Sequence, residues 1–245
     1  MRNGEFEFPA LAEVYDAEYG WGIADDYVLE FVNRQTTARV ADVGCGTGRL
    51  TVALAAAGHT VAGVDPASAS LARARNRPQG DSVRWILGTA TALAPSVFDC
   101  VVMTAHVAQF LVTDEEWEES FAAVHAALVP GGRLFFDSRN PAAKAWQDWN
   151  PNDSRRHIEI AGRSCTSWTQ IAGIRDPEIT VEFTRHYEFS DGERLTSESS
   201  LRFRTESTMR KSLQRIGFEI DRTSGSWPGE PLGTHEFLVE AHRLL

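Results

Sequence analysis

Short, nearly continuous apolar runs alternate with helix-patterned stretches through the first half of the chain. "RVADV" (from Arg39), "HTVAGVD" (from His59), "SVRWILG" (from Ser82), "FDCVVMT" (from Phe98) and "GRLFFDS" (from Gly132) lack regular polar alternation. That texture predicts strands covered on both faces. Between them lie "GRLTVALAAAG", "SASLARARNR" and "TDEEWEESFAAVHAALVPGG". In the last, Trp117, Phe121, Val124 and Leu128 recur at helical spacing, Thr113 or Asp114 can cap the start, and Pro130-Gly131-Gly132 marks the stop. Strands alternating with helices predict a parallel, doubly wound α/β sheet with right-handed crossovers.

After Asn140 the pattern changes. "AWQDWNPNDSRR" reads as a polar, tryptophan-bearing loop, and "HIEIAGRSCTSWTQIAG", "EITVEFTRHYEFS" and "ERLTSESSLRFRT" follow as strand-like runs. Asp191-Gly192 between the last two is a hairpin signal. Ile179, Val181 and Phe183 alternate with Thr180, Glu182 and Thr184, so one face is apolar and the other wet. This block predicts an antiparallel insert at residues 141–205. A helix ("ESTMRKSLQRIG") and strands around Phe218–Arg222 and Glu236–His242 return the chain to a core made of residues 1–140 and 206–245.

Charge and cysteine content narrow the partners. A net charge of −10 removes the basic footprint that nucleic-acid binding requires, leaving a small-molecule partner. Cys45, Cys100 and Cys165 form no CxxC pair, which fits reduced thiols and a cytoplasmic protein. No apolar run is long enough for a membrane span, and the first residues lack the apolar core of a signal peptide.

The candidate chemistry starts at "VADVGCGTGRL", where Gly44, Gly46 and Gly48 follow a strand and open a helix. No Gly-Lys-Ser/Thr follows, so a P-loop is excluded, and G-x-G-x-G is one residue tighter than the dinucleotide fingerprint G-x-G-x-x-G. Asp65, closing the next strand, has the position from which a carboxylate accepts both ribose hydroxyls.

With these residues the sequence resembles the class I methyltransferases that use S-adenosylmethionine. "VADVGCGTGRL" is similar to their first motif and "GVDPA" to their second; "LGTATAL" and "FDCVVMT" follow in the family's order, and "LVPGGRLFFDS" resembles the passage into the fifth strand. The resemblance runs from Tyr15 to Asn140 and covers the last helix and strands in outline. It implies a Rossmann-like sheet of seven mostly parallel strands, with the antiparallel β insert after the fifth. It also implies that Gly44, Cys45, Gly46 and Gly48 approach the cofactor's methionine half above Asp42, and that Asp65 takes the ribose. Pro66 and Ala67 would edge the adenine. Thr89 and Ala90 stand where members usually read Asp-Ala, so Thr89 replaces a carboxylate.

The stretch beginning at Thr104, itself expected to touch the cofactor, would line the reaction site, with His106 as a base for an amine or hydroxyl acceptor, or simply as a hydrogen-bonding group. Tyr15, Tyr19 and Trp21 belong to an expected N-terminal lid, Tyr15 joining His106 at the reaction centre. Tyr19, Arg139 and Trp149, with Trp146 and Trp168, are candidates to face the acceptor. The remaining histidines show no metal-ligand spacing, and no metal is expected. The resulting expectation is methyl transfer to nitrogen or oxygen of a small molecule, with homodimerisation through the insert's sheet edge. A nicotinamide-dependent oxidoreductase and an inactive cofactor-binding module remain the alternatives.

Overall fold

A computed structural model describes residues 3–176, 179–227 and 235–244. Its first half contains α1 (Gly4–Glu7), α2 (Pro9–Glu18), α3 (Ile23–Asn33), β1 (Arg39–Val43), α4 (Arg49–Ala56), β2 (Thr60–Asp65), α5 (Ser68–Arg75), β3 (Arg84–Leu87), β4 (Phe98–Met103), α6 (Asp114–Ala127) and β5 (Leu128–Arg139). Then come β6 (Arg156–Ile160), β7 (Arg163–Arg175), β8 (Thr180–Phe189), β9 (Arg194–Arg202), α7 (Glu206–Ile216), β10 (Phe218–Ser224) and β11 (Glu236–Arg243).

The apolar runs form a seven-stranded sheet in the order β10-β11-β5-β4-β1-β2-β3. All of its strands run parallel except β11, which pairs antiparallel with both β5 and β10. Helices cover both faces, which is why the central strands carry no polar alternation. On one side Trp117, Phe121 and Leu213 pack on Val101 and Phe136; on the other, Phe31 and Leu54 pack on Val102 and Phe135. Burying each such large side chain contributes about 1.5–3 kcal/mol.

Helix α6 begins as its sequence dictates. The Thr113 hydroxyl accepts the Glu116 N–H at 3.1 Å, and the Glu116 carboxylate accepts the Thr113 N–H at 2.9 Å. Its end differs from the expectation at Pro130: the helix stops at Ala127 because Leu128 already pairs with Phe98 on β4. Pro130-Gly131-Gly132 instead lies in the irregular start of β5, where the register shifts.

The second sheet is antiparallel, ordered β6-β7-β8-β9, and lies in the chain between β5 and α7. Asp191-Gly192 turns β8 into β9, with Gly192 at φ 91°. On β8 Val181, Phe183, Tyr187 and Phe189 are buried, and Arg185 occupies the same register. Glu178, at the predicted start of this strand, lies outside the described residues. Leu11 and Val14 of α2 pack against Ile158, Cys165, Tyr187 and Phe189, so the N-terminal helices are held on the second sheet. Asp16 of the same helix pairs with Arg73 and, at 2.6 Å, with Arg77, which ties α2 to α5 of the first sheet. Among the described residues no helix is long and apolar enough to cross a membrane.

Candidate functional site

The glycine loop follows β1 and is shaped by close packing from below. A Cβ on Gly44 would lie 2.4 Å from Val107, and one on Gly48 would lie 2.6 Å from Trp85. Gly46 differs: at φ +53° its missing side chain would meet nothing within 4 Å. The loop is therefore wedged at both ends and open in the middle. Asp65, nearly buried at the end of β2, accepts the Gly46 N–H and the Ala67 N–H at 2.8 Å, one on each oxygen. Each oxygen keeps lone-pair capacity for a hydroxyl. Burial pushes the Asp65 carboxyl up, against the pull of those two N–H groups. Below the loop, Asp42 accepts the Thr51 hydroxyl at 2.7 Å, while its Oδ1 has no partner among the described residues. Burial raises Asp42 to about 7. Burial also holds the Cys45 thiol well above its ordinary range, so it stays protonated and unreactive near neutrality.

Beside the loop Pro66 and Thr89 are exposed and Ala90 is buried. The Thr89 hydroxyl meets that of Thr91 at 2.9 Å. Leu87, paired in register with Asp65, is 59% exposed, a large apolar surface at a strand end. An open glycine, a carboxylate with spare acceptor capacity and an exposed leucine beside it fit the ribose and adenine of an adenosyl group.

Next to the loop is a cavity of about 710 Å³. It brings together Tyr15, Tyr19, Thr104, His106, Arg139 and Trp149, and reaches the glycine loop through Arg49 and Leu50. Asp42, Gly44, Cys45, Gly46, Gly48, Asp65, Pro66, Thr89 and Ala90 are not on its wall. Acidic side chains outnumber arginines in the lining.

His106 sits on a strained turn: Ala105 (φ 56°) and His106 (φ 64°) are both left-handed. Such a conformation costs on the order of 1–3 kcal/mol for each non-glycine residue. Asp137 of β5 holds the turn, its Oδ2 accepting the His106 N–H at 3.0 Å. His106 Nε2 lies 2.8 Å from Glu236 Oε1 and 3.3 Å from Asp137 Oδ2. Trp227 Nε1 donates to the other Glu236 oxygen at 2.8 Å. Burial raises Asp137, whose Oδ1 has no partner among the described residues. Burial also acts to raise Glu236, but the hydrogen bond and charge of His106, with help from Arg139 and Trp227, leave it below its ordinary value. The two neighbouring carboxyls are thus separated, Glu236 ionised and Asp137 the readier to hold a proton.

Arg139 ends β5 with Nη1 on Gln109 Oε1 at 3.1 Å and its guanidinium 5.7 Å from the Trp149 ring centre. Trp146 and Trp168 face elsewhere. Trp146 is core, edge-on to Phe203 at 4.6 Å. Trp168 stacks on His186 at 5.0 Å and under Arg155, outside the cavity lining. Trp21 is exposed and donates to Asp26.

Several cavity residues escaped the sequence reading: Asp137, Glu236, Trp227 and Arg185. Arg185 had a signal, because it occupies an apolar register on the alternating β8. Its guanidinium pairs with Glu18 and, at 3.4 Å, with Glu5, both from the N-terminal helices. Burial alone would favour its neutral form, but Tyr19, Tyr187 and these carboxylates outweigh that and hold it charged.

A family model described as a methyltransferase domain matches residues 40–132, the stretch holding the glycine loop, Asp65 and His106. A structure of S-adenosylmethionine-bound CalS10, an amino pentose methyltransferase from Micromonospora echinaspora, is 25% identical with a TM-score of 0.68, covering 94% of this chain and 96% of that one. Residues 40–132 thus match a methyltransferase domain, in a fold shared with an S-adenosylmethionine-bound methyltransferase. Two curated relatives agree. A putative methyltransferase of Geobacillus sp. (strain WCH70) is 33% identical over 126 residues, 50% of each chain. A ubiquinone biosynthesis O-methyltransferase of Pseudomonas entomophila (strain L48) is 29% identical over 178 residues, 62% of this chain and 73% of that one. The chain thus spans half the length of the first relative, and S-adenosylmethionine is the cofactor its loop and Asp65 fit.

Proposed function

We propose that the protein transfers a methyl group from S-adenosylmethionine to the nitrogen of a small, polar amine. The observation that carries this reading is the placement of His106, with its two carboxylate neighbours, on the wall of the acid-rich cavity that adjoins the glycine loop. S-adenosylmethionine, when bound, supplies an electrophilic methyl group on a sulfonium. The chain's own contribution is alignment, exclusion of water and removal of a proton. Asp65 holds the ribose hydroxyls, the bare Gly46 leaves room for the methionine half, and Asp42, Gly44, Cys45 and Gly48 shape the loop. Pro66, Leu87, Thr89 and Ala90 border the adenine. Orientation of this kind is worth roughly 7–11 kcal/mol of a bimolecular barrier.

On the acceptor side the acidic lining draws a cationic amine in, and His106 takes the proton that makes its nitrogen nucleophilic. Thr104 lies beside His106 on the same wall. Arg139, oriented by Gln109 and Trp149, donates to an oxygen of the acceptor. Tyr15, whose phenol burial keeps protonated, and Tyr19 close the site from the lid. CalS10 is an amino pentose methyltransferase, and an amino pentose is a polar amine of the kind this lining suits.

We assign residues 1–140 and 206–245 to the cofactor-binding core and 141–205 to an acceptor-side cover. The free thiols and the charge support a cytoplasmic, non-nucleic-acid role, and edge strand β6 offers a pairing surface for a second copy. The test is a panel of small amines and phenols incubated with methyl-labelled cofactor and read by mass spectrometry. N-methylated product from amines supports the reading; methylation confined to phenols overturns the choice of nitrogen.

A further inference from the structure

The environment of His106 fixes more than its position. Both groups that meet Nε2 are carboxylates, Glu236 at 2.8 Å and Asp137 at 3.3 Å, and an ionised carboxylate only accepts. The proton of a neutral imidazole therefore belongs on Nε2. Nδ1 has no hydrogen-bond partner among the described residues, and the ring lines the cavity. Glu236 cannot turn away, because its second oxygen is held by Trp227 Nε1, a group that only donates.

We propose that Glu236 is a positioning residue that holds His106 as the Nε2–H tautomer and so leaves Nδ1 as the open base facing the acceptor. The proposal rests on the reading of His106 as the base and names the residue that makes it one. In the step itself the acceptor's N–H bond breaks and the proton adds to Nδ1. The imidazolium keeps its Nε2–H on Glu236, whose negative charge offsets the new positive one, and the proton passes to solvent when product leaves. Asp137 of β5 and Glu236 of β11 meet the ring, and Arg139 of β5 and the tyrosines Tyr15 and Tyr19 of the N-terminal segment line the same cavity. Glu236 joins His106 across 130 residues of sequence, from the last strand to the turn after β4.

The arrangement predicts an unusual mutant. In Glu236→Gln the carbonyl must face the Trp227 N–H, so the amide NH₂ faces Nε2 and forces the proton onto Nδ1. The open base is lost with the shape retained. Trp227→Phe removes that constraint, and in the double variant the amide turns round, accepts from Nε2–H and restores the original tautomer.

The test is nitrogen-15 NMR of histidine-labelled full-length protein, saturated with S-adenosylhomocysteine at pH 8.5, a condition chosen to lie about two units above the reference histidine value. The expected result is a protonated Nε2 and a bare Nδ1 in the wild type, the reverse in Glu236→Gln, and the wild-type pattern again in Trp227→Phe/Glu236→Gln. Turnover of an amine found in the acceptor panel should follow, falling about 100-fold or more in the single variant and recovering in the double. A wild-type ring protonated on Nδ1 or on both nitrogens overturns the proposal, as does a Glu236→Gln ring that keeps the wild-type pattern. If Glu236→Gln does not fold, the wild-type spectrum and Trp227→Phe, expected to be alike, decide the matter. The spectra need no acceptor, so a failed amine panel with the predicted tautomers sinks only the choice of substrate, whereas amine methylation with the wrong tautomers sinks only the role of Glu236.

Discussion

The proposed cofactor half and the proposed acceptor half of this site are built by different means. The glycine loop, Asp42 and Asp65 come from one strand–helix–strand unit, with Asp65 only 19 residues from the Gly46 N–H it accepts. The cavity proposed for the acceptor is assembled from the N-terminal helices, the turn after β4, the end of β5, the antiparallel sheet and the last strand. Backbone geometry does the work in the first region and long-range side-chain pairing in the second. A local unit fixes the same cofactor in many proteins, while a cover gathered from distant segments leaves the acceptor free to differ.

If that contrast is right, damage should separate cleanly between the halves. The largest effect is expected at Arg185, which links the lid to the second sheet through Glu5 and Glu18. Arg185→Ala leaves two carboxylates uncompensated and should cost about 3–5 kcal/mol of stability, with faster hydrogen exchange confined first to residues 4–18. Uniform loss of protection across the first sheet would contradict the separate tethering of the lid.

Next is His106→Ala, expected to lower the turnover number about 100-fold or more while S-adenosylhomocysteine affinity stays within a few-fold. Equal losses in both would merge the two halves. Asp65→Ala should do the opposite, weakening S-adenosylhomocysteine binding by roughly 1.5–3 kcal/mol, since a charged acceptor is removed. A comparison of two tryptophans sharpens the boundary. Trp149→Ala should raise the acceptor's Michaelis constant about tenfold, within the range for losing one aromatic contact. Trp168→Ala, on the outer face of the second sheet, should leave it unchanged.

The smallest effect concerns pH. The folded pKa of Asp42 is raised by burial to about 7, so the native state binds this proton more tightly than the unfolded chain, whose value is near 3.8. Stability from this group is present below the unfolded value and is lost as pH rises through about 7. Asp42→Asn should therefore flatten the fall in melting temperature across that window by a few degrees, and identical slopes would remove Asp42 from the account.

The same contrast explains what could be read in the sequence. The parallel sheet, the glycine loop, Asp65 and the hairpin at Asp191-Gly192 rest on neighbours in sequence or on a simple period, and each was legible. The end of α6 was misplaced at Pro130 because pairing of Leu128 with Phe98 stops the helix, and no local signal encodes that partner. Glu236 and Trp227 read as unremarkable residues because their meaning depends on a histidine far up the chain. Arg185 was hidden differently: alternation assigned its register to the apolar face, and the two carboxylates that make a buried guanidinium tolerable come from the opposite end of the protein. Trp168 was overread, since its register on β7 places it on the outer face.

The central claim is that one local unit holds the cofactor and opens onto a cavity built by distant segments. A crystal structure with S-adenosylhomocysteine tests it most directly. The expected result is both ribose hydroxyls on Asp65, the methionine chain over Gly46, and the sulfur directed into the cavity between Thr104 and His106. A ribose bound away from Asp65, or a sulfur closed off from His106 and Arg139, would contradict it.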